Sequence, residues 1–104
     1  MVDIEVLKHE IVERLKPLKA DKIILFGSYA YGEPNEDSDV DLFLVKDSGE
    51  NDNYEAVAMM QLRDLVRKYH IGFDILSASN SFIQNREDSF YKVDILEKGR
   101  VIYE

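Results

Sequence analysis

The sequence predicts an α+β domain in which helices pack on one face of a mixed β-sheet. Segments with the apolar spacing of a helix alternate with short apolar runs typical of buried strands, which gives the order α-β-β-α-β-α-β. The chain has 104 residues and a hydrophobic content of 45%, which is enough apolar material for one core. We therefore expect residues 1–104 to form a single domain.

The first half of the chain is predicted to form a helix and two strands. Residues 2–16 place apolar side chains at steps of three and four residues, the pattern of an amphipathic helix, and Pro17 limits its extent. The β-branched run at 22–26 predicts a buried strand, and the run at 39–46 predicts a second one. Between the strands, residues 27–37 contain glycine and proline and predict a turn region.

The second half alternates the same two kinds of segment after a polar loop at 47–53. The predicted elements are a helix at 54–69, a strand at 72–77, a helix from Ser79 or Ser81 to Lys98, and a strand at 100–103. Gly99 suits the position just after the last helix, where the backbone often takes a left-handed conformation.

Two short motifs lie where the first two strands meet the turn region. Gly27 and Ser28 follow the first strand, and ten residues separate them from Asp39 and Asp41, which open the second strand. Side chains two apart on a strand point to the same face, with Cα atoms about 6.5–7 Å apart. Two carboxylates so placed can bridge a pair of divalent ions about 3.5–4 Å apart, the separation used in two-metal phosphoryl transfer.

The composition limits the kind of metal that such a site could hold. Cysteine is absent and only two histidines are present, so a metal would be held by carboxylates. Carboxylate oxygens suit hard cations, which points to Mg²⁺ or Mn²⁺ rather than to zinc.

Gly27 and Ser28 suit the phosphates of a nucleotide. Glycine lets the backbone approach a phosphate closely, and the Ser28 hydroxyl and the amides that follow can donate hydrogen bonds to its oxygens. A helical turn after Ser28 would add the positive end of its dipole.

Asp74 is a further candidate because it interrupts the apolar run 73–76 of the third predicted strand. An unpaired charge inside a buried strand is costly, so we expect something to compensate it. A metal ion shared with Asp39 and Asp41 is one answer. A salt bridge or an exposed position at the edge of the sheet is the other.

The spacing from Gly27-Ser28 to Asp39-x-Asp41 resembles the signature of the nucleotidyltransferase superfamily that includes the palm domain of DNA polymerase beta. The length and the order of elements are similar to a minimal nucleotidyltransferase (MNT), a palm-like domain without appended domains. The resemblance covers nearly the whole chain and implies a palm-like fold. It also implies that Asp74 completes a metal triad with Asp39 and Asp41 and acts as the general base.

The resemblance further implies a role as the antitoxin of a toxin–antitoxin pair. MNT proteins are often found beside a small all-helical protein of the HEPN type. The implied reaction uses two Mg²⁺ or Mn²⁺ ions and transfers AMP from ATP to a hydroxyl of that partner, typically a tyrosine, which silences the HEPN ribonuclease. Asp39 and Asp41 would bind both ions, and Gly27 and Ser28 would hold the leaving pyrophosphate.

One position departs from the pattern of the family. Small bacterial relatives often carry arginine where this chain has Tyr31, in a GSxARGE pattern that reads GSYAYGE here. The arginine would help to neutralise phosphate charge. Lys46 and Arg63 are the candidate replacements for it.

Two other classes of function stay open. One is a binding-only module that neutralises its partner by covering it, with a vestigial acidic site. The other is a nucleotidyltransferase for a small molecule such as an aminoglycoside, or a subunit that acts on RNA through a basic partner. Direct nucleic-acid binding is disfavoured, because the net charge is −8 and five of the nine residues in 33–41 are acidic.

The sequence also predicts a location. No apolar stretch approaches the length of a membrane span. The N-terminal segment is amphipathic and does not resemble a signal peptide. We therefore expect a cytoplasmic protein that does not contact membranes.

Overall fold

The computed structural model describes residues 3–46 and 54–104, so the predicted loop at 47–53 lies outside the described residues. The helices are α1 (Ile4–Leu15), α2 (Ser28–Tyr31), α3 (Tyr54–Gln61), α4 (Arg63–Tyr69) and α5 (Asn80–Gln84), with a 3₁₀ turn at Lys16–Leu18 and a π-helix at Phe90–Glu97. The strands are β1 (Lys22–Phe26), β2 (Val40–Val45), β3 (Phe73–Ala78) and β4 (Arg100–Tyr103). Within the two described ranges, no helix is long and apolar enough to cross a membrane.

The four described strands form one mixed sheet in the order β3-β2-β1-β4. β1 runs antiparallel to both β2 and β4, whereas β2 and β3 run parallel. Parallel neighbours need a long crossover, and the segment that contains α3 and α4 provides it. The mixed sheet and its helices confirm the predicted α+β fold class.

One face of the sheet is covered by α1, α3 and α4, and we call it the helical face. Strand residues at alternate positions point into its core, which follows from the two-residue period of a strand. The strand residues buried there are Ile23, Leu25, Val40, Leu42, Leu44, Phe73 and Ile75. The residues buried there from the helices and from the junction of α3 and α4 include Leu7, Ile11, Leu15, Ala58, Leu62 and Leu65.

The opposite face, which we call the site face, is covered by α5 and the π-helix. Its core consists of Ile24, Phe26, Phe43, Val45, Ile83 and Ile95. Phe26 lies edge-to-face against Phe43 and Phe90, with ring centres 6.4 and 5.7 Å apart. The expectation that helices pack on one face only is therefore wrong in this detail. β1 and most of β2 are apolar at successive positions, so that both faces of the central strands need cover.

Two predicted helices are each divided in the structure. The helix predicted at 54–69 becomes α3 and α4, which meet at Leu62. The long helix predicted up to Lys98 becomes α5 and the π-helix, with residues 85–89 between them. That connecting sequence, Asn-Arg-Glu-Asp-Ser, has no apolar side chain to bury. Its Asn, Asp and Ser favour caps and turns over the interior of a helix.

Candidate active site

Strand register brings Asp41 and Asp74 together. Asp41 lies on β2, where it pairs with Phe26 of β1 on one side and with Asp74 of β3 on the other. Neighbouring strands lie about 4.8 Å apart, and residues paired across them point to the same face. The two aspartates therefore stand side by side on the site face, two residues along their strands from Phe43 and Leu76.

Asp39 lies two residues before Asp41, beside the chain that leads into β3. The Val40 amide donates to the Gly72 carbonyl oxygen at 2.9 Å, which joins the two segments. A Cβ atom at Gly72 would lie 2.5 Å from Asp39 Oδ1. The Asp39 carboxylate therefore rests directly on the glycine, in space that a larger residue would occupy.

The turn before Asp39 is held by its own side chains. Asn35 Oδ1 accepts a hydrogen bond from the Asp37 amide at 2.8 Å, and Ser38 Oγ accepts one from the Asn35 amide at 2.9 Å. The Ser38 amide donates to the Asn35 carbonyl oxygen at 3.1 Å. Asn and Ser form such local bonds readily. This turn sets the direction in which the chain enters β2.

Gly27 borders the site from the end of β1. Its φ of 75° lies in a region that L side chains rarely adopt, and a Cβ atom there would overlap Asp41 Oδ2. The Gly27 carbonyl oxygen accepts hydrogen bonds from the amides of Ala30 and Tyr31 at 3.0 and 3.1 Å. These bonds form α2, so the helical turn predicted after Ser28 is confirmed.

The three aspartates influence one another electrostatically. Asp41 is half-buried, whereas Asp39 and Asp74 are exposed. The pKa of Asp41 is raised to about 6, first by burial and then by the negative charges of Asp74 and Asp39. The pKa of the buried Tyr29 is also raised, by burial and by the charge of Asp39. A divalent cation at this position would relieve the repulsion among the carboxylates.

The structure changes the reason for including Asp74 in the site. The sequence suggested a charge inside a buried strand, but β3 is an edge of the described sheet and Asp74 is exposed. Water can therefore hydrate this carboxylate, and its position demands no compensating partner. Its link to the site is the pairing with Asp41.

The carboxylates do not form a finished metal cage. Among residues 3–46 and 54–104, no group of three or more His, Cys, Asp or Glu side chains is gathered closely enough to hold a metal ion. Repulsion between like charges favours such a spread. The assignments of Asp39, Asp41 and Asp74 as metal ligands, and of Gly27 and Ser28 to the phosphates, stay predictions.

Neither suggested replacement for the arginine faces the aspartates. Lys46 follows the far end of β2, where its Nζ donates to the carbonyl oxygens of Leu18 and Lys19 at 3.2 and 3.0 Å. Arg63 begins α4 on the helical face, where it borders a surface cavity of about 710 Å³. Both cations therefore lie away from the three aspartates.

Sequence reasoning missed a cation that lies beside Tyr31. Lys98 Nζ is 5.6 Å from the centre of the Tyr31 ring. In the sequence, Lys98 is visible only as the last residue of a predicted helix. Its approach to Tyr31 depends on the pairing of β4 with β1, which no local pattern reveals.

Known proteins match this chain along most of its length. Residues 6–102 match the family model described as "Nucleotidyltransferase domain". A protein of Methanocaldococcus jannaschii named "Putative protein adenylyltransferase MJ0604" is 33% identical to this chain over 82 residues. The matched residues make up 79% of this chain and 77% of that protein.

Two solved structures share the fold at low sequence identity. One, described as "Crystal structure of the toxin-antitoxin with AMP-PNP", has a TM-score of 0.65 and 16% identity and covers 92% of this chain and 72% of its own. The other is a mutant of the toxin-antitoxin MntA-HpeT, with a TM-score of 0.62, 13% identity and coverages of 92% and 71%. The family match and the identity to the curated relative show that the chain belongs to the nucleotidyltransferase domain family and is a nucleotidyltransferase enzyme, and the two solved structures share its fold.

Proposed function

We propose that this nucleotidyltransferase transfers AMP from ATP to a hydroxyl of a partner protein and that it needs divalent ions to do so. The observation that supports this most is the pairing of Asp41 with Asp74 on the site face, with Gly27 against the Asp41 carboxylate. This arrangement sets acidic ligands directly beside the Gly27-Ser28 turn, where the Ser28 hydroxyl can donate a hydrogen bond to a phosphate oxygen.

The donor set fits a hard divalent cation. Asp39, Asp41 and Asp74 offer only carboxylate oxygens, the ligands that Mg²⁺ and Mn²⁺ prefer. We assign Asp39 and Asp41 to two ions and Asp74 to one of them. When bound, the ions would neutralise charge on the phosphates and on the carboxylates.

The residues of this chain would then act as follows. Gly27 and Ser28 bind the phosphates that become the leaving pyrophosphate. Asp74 lies at the exposed edge of the site and takes the proton of the acceptor hydroxyl. The acceptor oxygen forms a bond to the α-phosphorus, and the bond from that phosphorus to the bridging oxygen breaks. Positioning and charge neutralisation provide most of the catalysis, as is usual for phosphoryl transfer.

Access to the site favours a protein acceptor. Asp39 and Asp74 are both exposed, so a hydroxyl on the surface of another protein can reach them. The curated relative is named a protein adenylyltransferase, and the structural relatives come from toxin–antitoxin complexes. We therefore propose a small all-helical HEPN-type toxin as the partner and an antitoxin role for this chain. The net charge of −8 would speed its association with a basic partner.

Co-expression with the proposed HEPN-type partner would test this function. The partner is purified after co-expression with wild type or with Asp41→Asn, and intact-mass spectrometry measures the addition of AMP. We expect the modification with wild type and a decrease of at least about a hundredfold with Asp41→Asn, since a preorganised charge at the reacting group is lost. Asp37→Asn is the matched control, because Asp37 is an exposed carboxylate in the preceding turn.

A binding-only antitoxin is the second candidate. It is favoured by the lack of a closely gathered carboxylate cluster among the described residues. If the chain only binds its partner, the partner stays unmodified with both wild type and Asp41→Asn and is still neutralised. Loss of AMP transfer with Asp37→Asn as strong as with Asp41→Asn would also contradict the proposed roles.

A further inference from the structure

We propose that Lys98 binds the β- and γ-phosphates of the nucleotide beside Gly27 and Ser28. This inference rests on the proposed function, because it assumes that a nucleoside triphosphate binds at the site. It assigns a role to a residue on the last part of the chain, more than fifty residues from the Gly-Ser and Asp-x-Asp motifs.

The sheet places Lys98 at the level of the phosphate-binding turn. β4 pairs with β1 in antiparallel register, with Ile24 opposite Val101 and Leu25 opposite Arg100. Continuing this register past the last pair brings Lys98 level with Gly27. The position of Lys98 Nζ, 5.6 Å from the centre of the Tyr31 ring at the end of α2, agrees with this placement.

The backbone at Lys98 is held on both sides. The Lys98 amide donates to the Val93 carbonyl oxygen at 2.8 Å, which closes the last turn of the π-helix. The next residue, Gly99, packs so closely that a Cβ atom there would lie 2.6 Å from Ile24 Cγ2. Lys98 therefore stands at a fixed point above β1, and only its flexible side chain has to move to reach a phosphate.

Lys98 is available for an anion. Other cations from the same part of the chain are engaged in ion pairs, Arg86 with Asp88 at 3.1 Å and Lys92 with Glu87 at 3.3 Å. Within the described part of the chain, Lys98 forms no ion pair, and its ammonium group lies near the Tyr31 ring instead. The contact of an exposed cation with an aromatic ring is weak, so a phosphate can draw the Lys98 ammonium group away easily.

The charges of the site create the need for such a cation. Asp41 is paired with Asp74 across β2 and β3, and Asp39 lies two residues before Asp41, so three carboxylates lie at one end of the site face. A triphosphate adds further negative charge to the same place, and metal ions neutralise only part of it. A lysine ammonium is a compact point charge well suited to phosphate oxygens. Lys98 can supply this positive charge from a position outside the group of three aspartates.

Nucleotide binding to the purified full chain, measured by calorimetry with Mg²⁺, would test the proposal. We expect Lys98→Gln to weaken ATP binding about tenfold or more, the value of one charge-assisted hydrogen bond, and to leave AMP binding nearly unchanged. Lys98→Arg should retain most of the affinity for ATP, because it keeps the charge. Lys92→Gln is the matched control, since Lys92 lies on the same π-helix and pairs with Glu87.

The outcomes separate this proposal from the proposed function. Equal affinity of wild type and Lys98→Gln for ATP would overturn the role of Lys98, as would an equal loss of affinity for ATP and AMP. A wild type that binds neither ATP nor pyrophosphate would overturn both proposals. If wild type binds ATP without modifying its partner, the proposed function fails, and the difference between ATP and AMP still decides the role of Lys98.

Discussion

The two faces of the sheet have different tasks. On the helical face, eighteen of the described residues are buried in one core, which extends along β2 from Val40 to Leu44. On the site face, six of the described residues form the buried core, and the strands continue beyond it to Asp41 and Asp74. The domain therefore obtains most of its buried surface from the helical face and leaves the end of the site face accessible to solvent.

The difference between the two faces is visible at neighbouring residues of a single strand, β2. Leu42 is fully buried on the helical face, and its neighbour Asp41 is half-buried on the site face. Because side chains alternate between faces, a slip of one residue in the pairing of β2 would bury Asp41 in the large core and expose Leu42. The register that stabilises the core therefore also orients the carboxylate.

Core substitutions should show the largest difference between the faces. We expect Leu65→Ala on the helical face to lower the free energy of unfolding by about 4–5 kcal/mol and Ile83→Ala on the site face by about 2–3 kcal/mol, within the range for such changes. Both side chains are at most 1% exposed. The difference arises because α5 has five residues and can shift to fill a cavity, whereas α4 is tied to α1 by Arg14 and Asp64 at 2.7 Å.

Urea unfolding measures both costs in the same buffer. Val6→Ala, on the exposed side of α1, serves as the control and should cost little, because this side chain is 52% exposed. Equal costs for Leu65→Ala and Ile83→Ala would mean that the two faces contribute to stability in the same way.

Magnesium with ATP should stabilise the protein through the site face alone. At a ligand concentration of about a hundred times the Kd, binding adds about 2.7 kcal/mol, which raises the Tm of a domain of this size by roughly 10–20 °C. The double change Asp39→Asn with Asp41→Asn should abolish the rise, because it removes two proposed ligands. Thermal unfolding followed by circular dichroism measures the effect. A rise that persists in the double variant would place the ions elsewhere, for example at the acidic sequence 47–52.

In the absence of metal ions, the pH dependence of stability should show that the charged form of Asp41 destabilises the folded protein. Its pKa is raised from 3.8 to about 6 in the folded state, so the folded protein holds this proton more tightly than the unfolded chain. The contribution of Asp41 to stability therefore decreases as the pH rises from about 4 to about 6 and is constant above that. Near pH 7, Asp41→Asn should be more stable than wild type by about 1–2 kcal/mol, after allowance for solvent screening of this half-buried group.

Urea unfolding in EDTA at pH 4 and pH 7 tests this expectation. The difference between Asp41→Asn and wild type isolates Asp41, because carboxylates such as Asp64, whose pKa is lowered by its hydrogen bonds to Arg14, titrate equally in both proteins. A difference that stays constant between the two pH values would contradict the raised pKa.

The sequence predicted the strands and the order of the motifs well. The apolar runs that became β1 and β2 differ clearly from their polar surroundings, and the spacing from Gly27 to Asp41 needs no tertiary information. The sequence predicts that Gly27 lets a phosphate approach the backbone closely. In the structure, the Asp41 carboxylate occupies the space that a Cβ atom at Gly27 would need.

The features that the sequence did not reveal depend on tertiary packing. The site face is covered because α5 and the π-helix fold back onto it. Asp74 is exposed because β3 lies at the edge of the described sheet. Local apolar spacing also could not distinguish a π-helix from an α-helix at the C-terminal end. The contact between Lys98 and Tyr31 likewise joins segments that are distant in the sequence.

The edge position of β3 also has a consequence for solubility. A strand at the edge of a sheet offers unpaired backbone groups to other molecules, and a charged side chain there discourages such pairing. In β3, Asp74 stands between the buried residues Phe73 and Ile75. We therefore expect the Asp74 carboxylate also to discourage strand pairing between neighbouring copies of the chain. An Asp74→Asn variant made to study the reaction would lose this protection and aggregate more readily in its resting state.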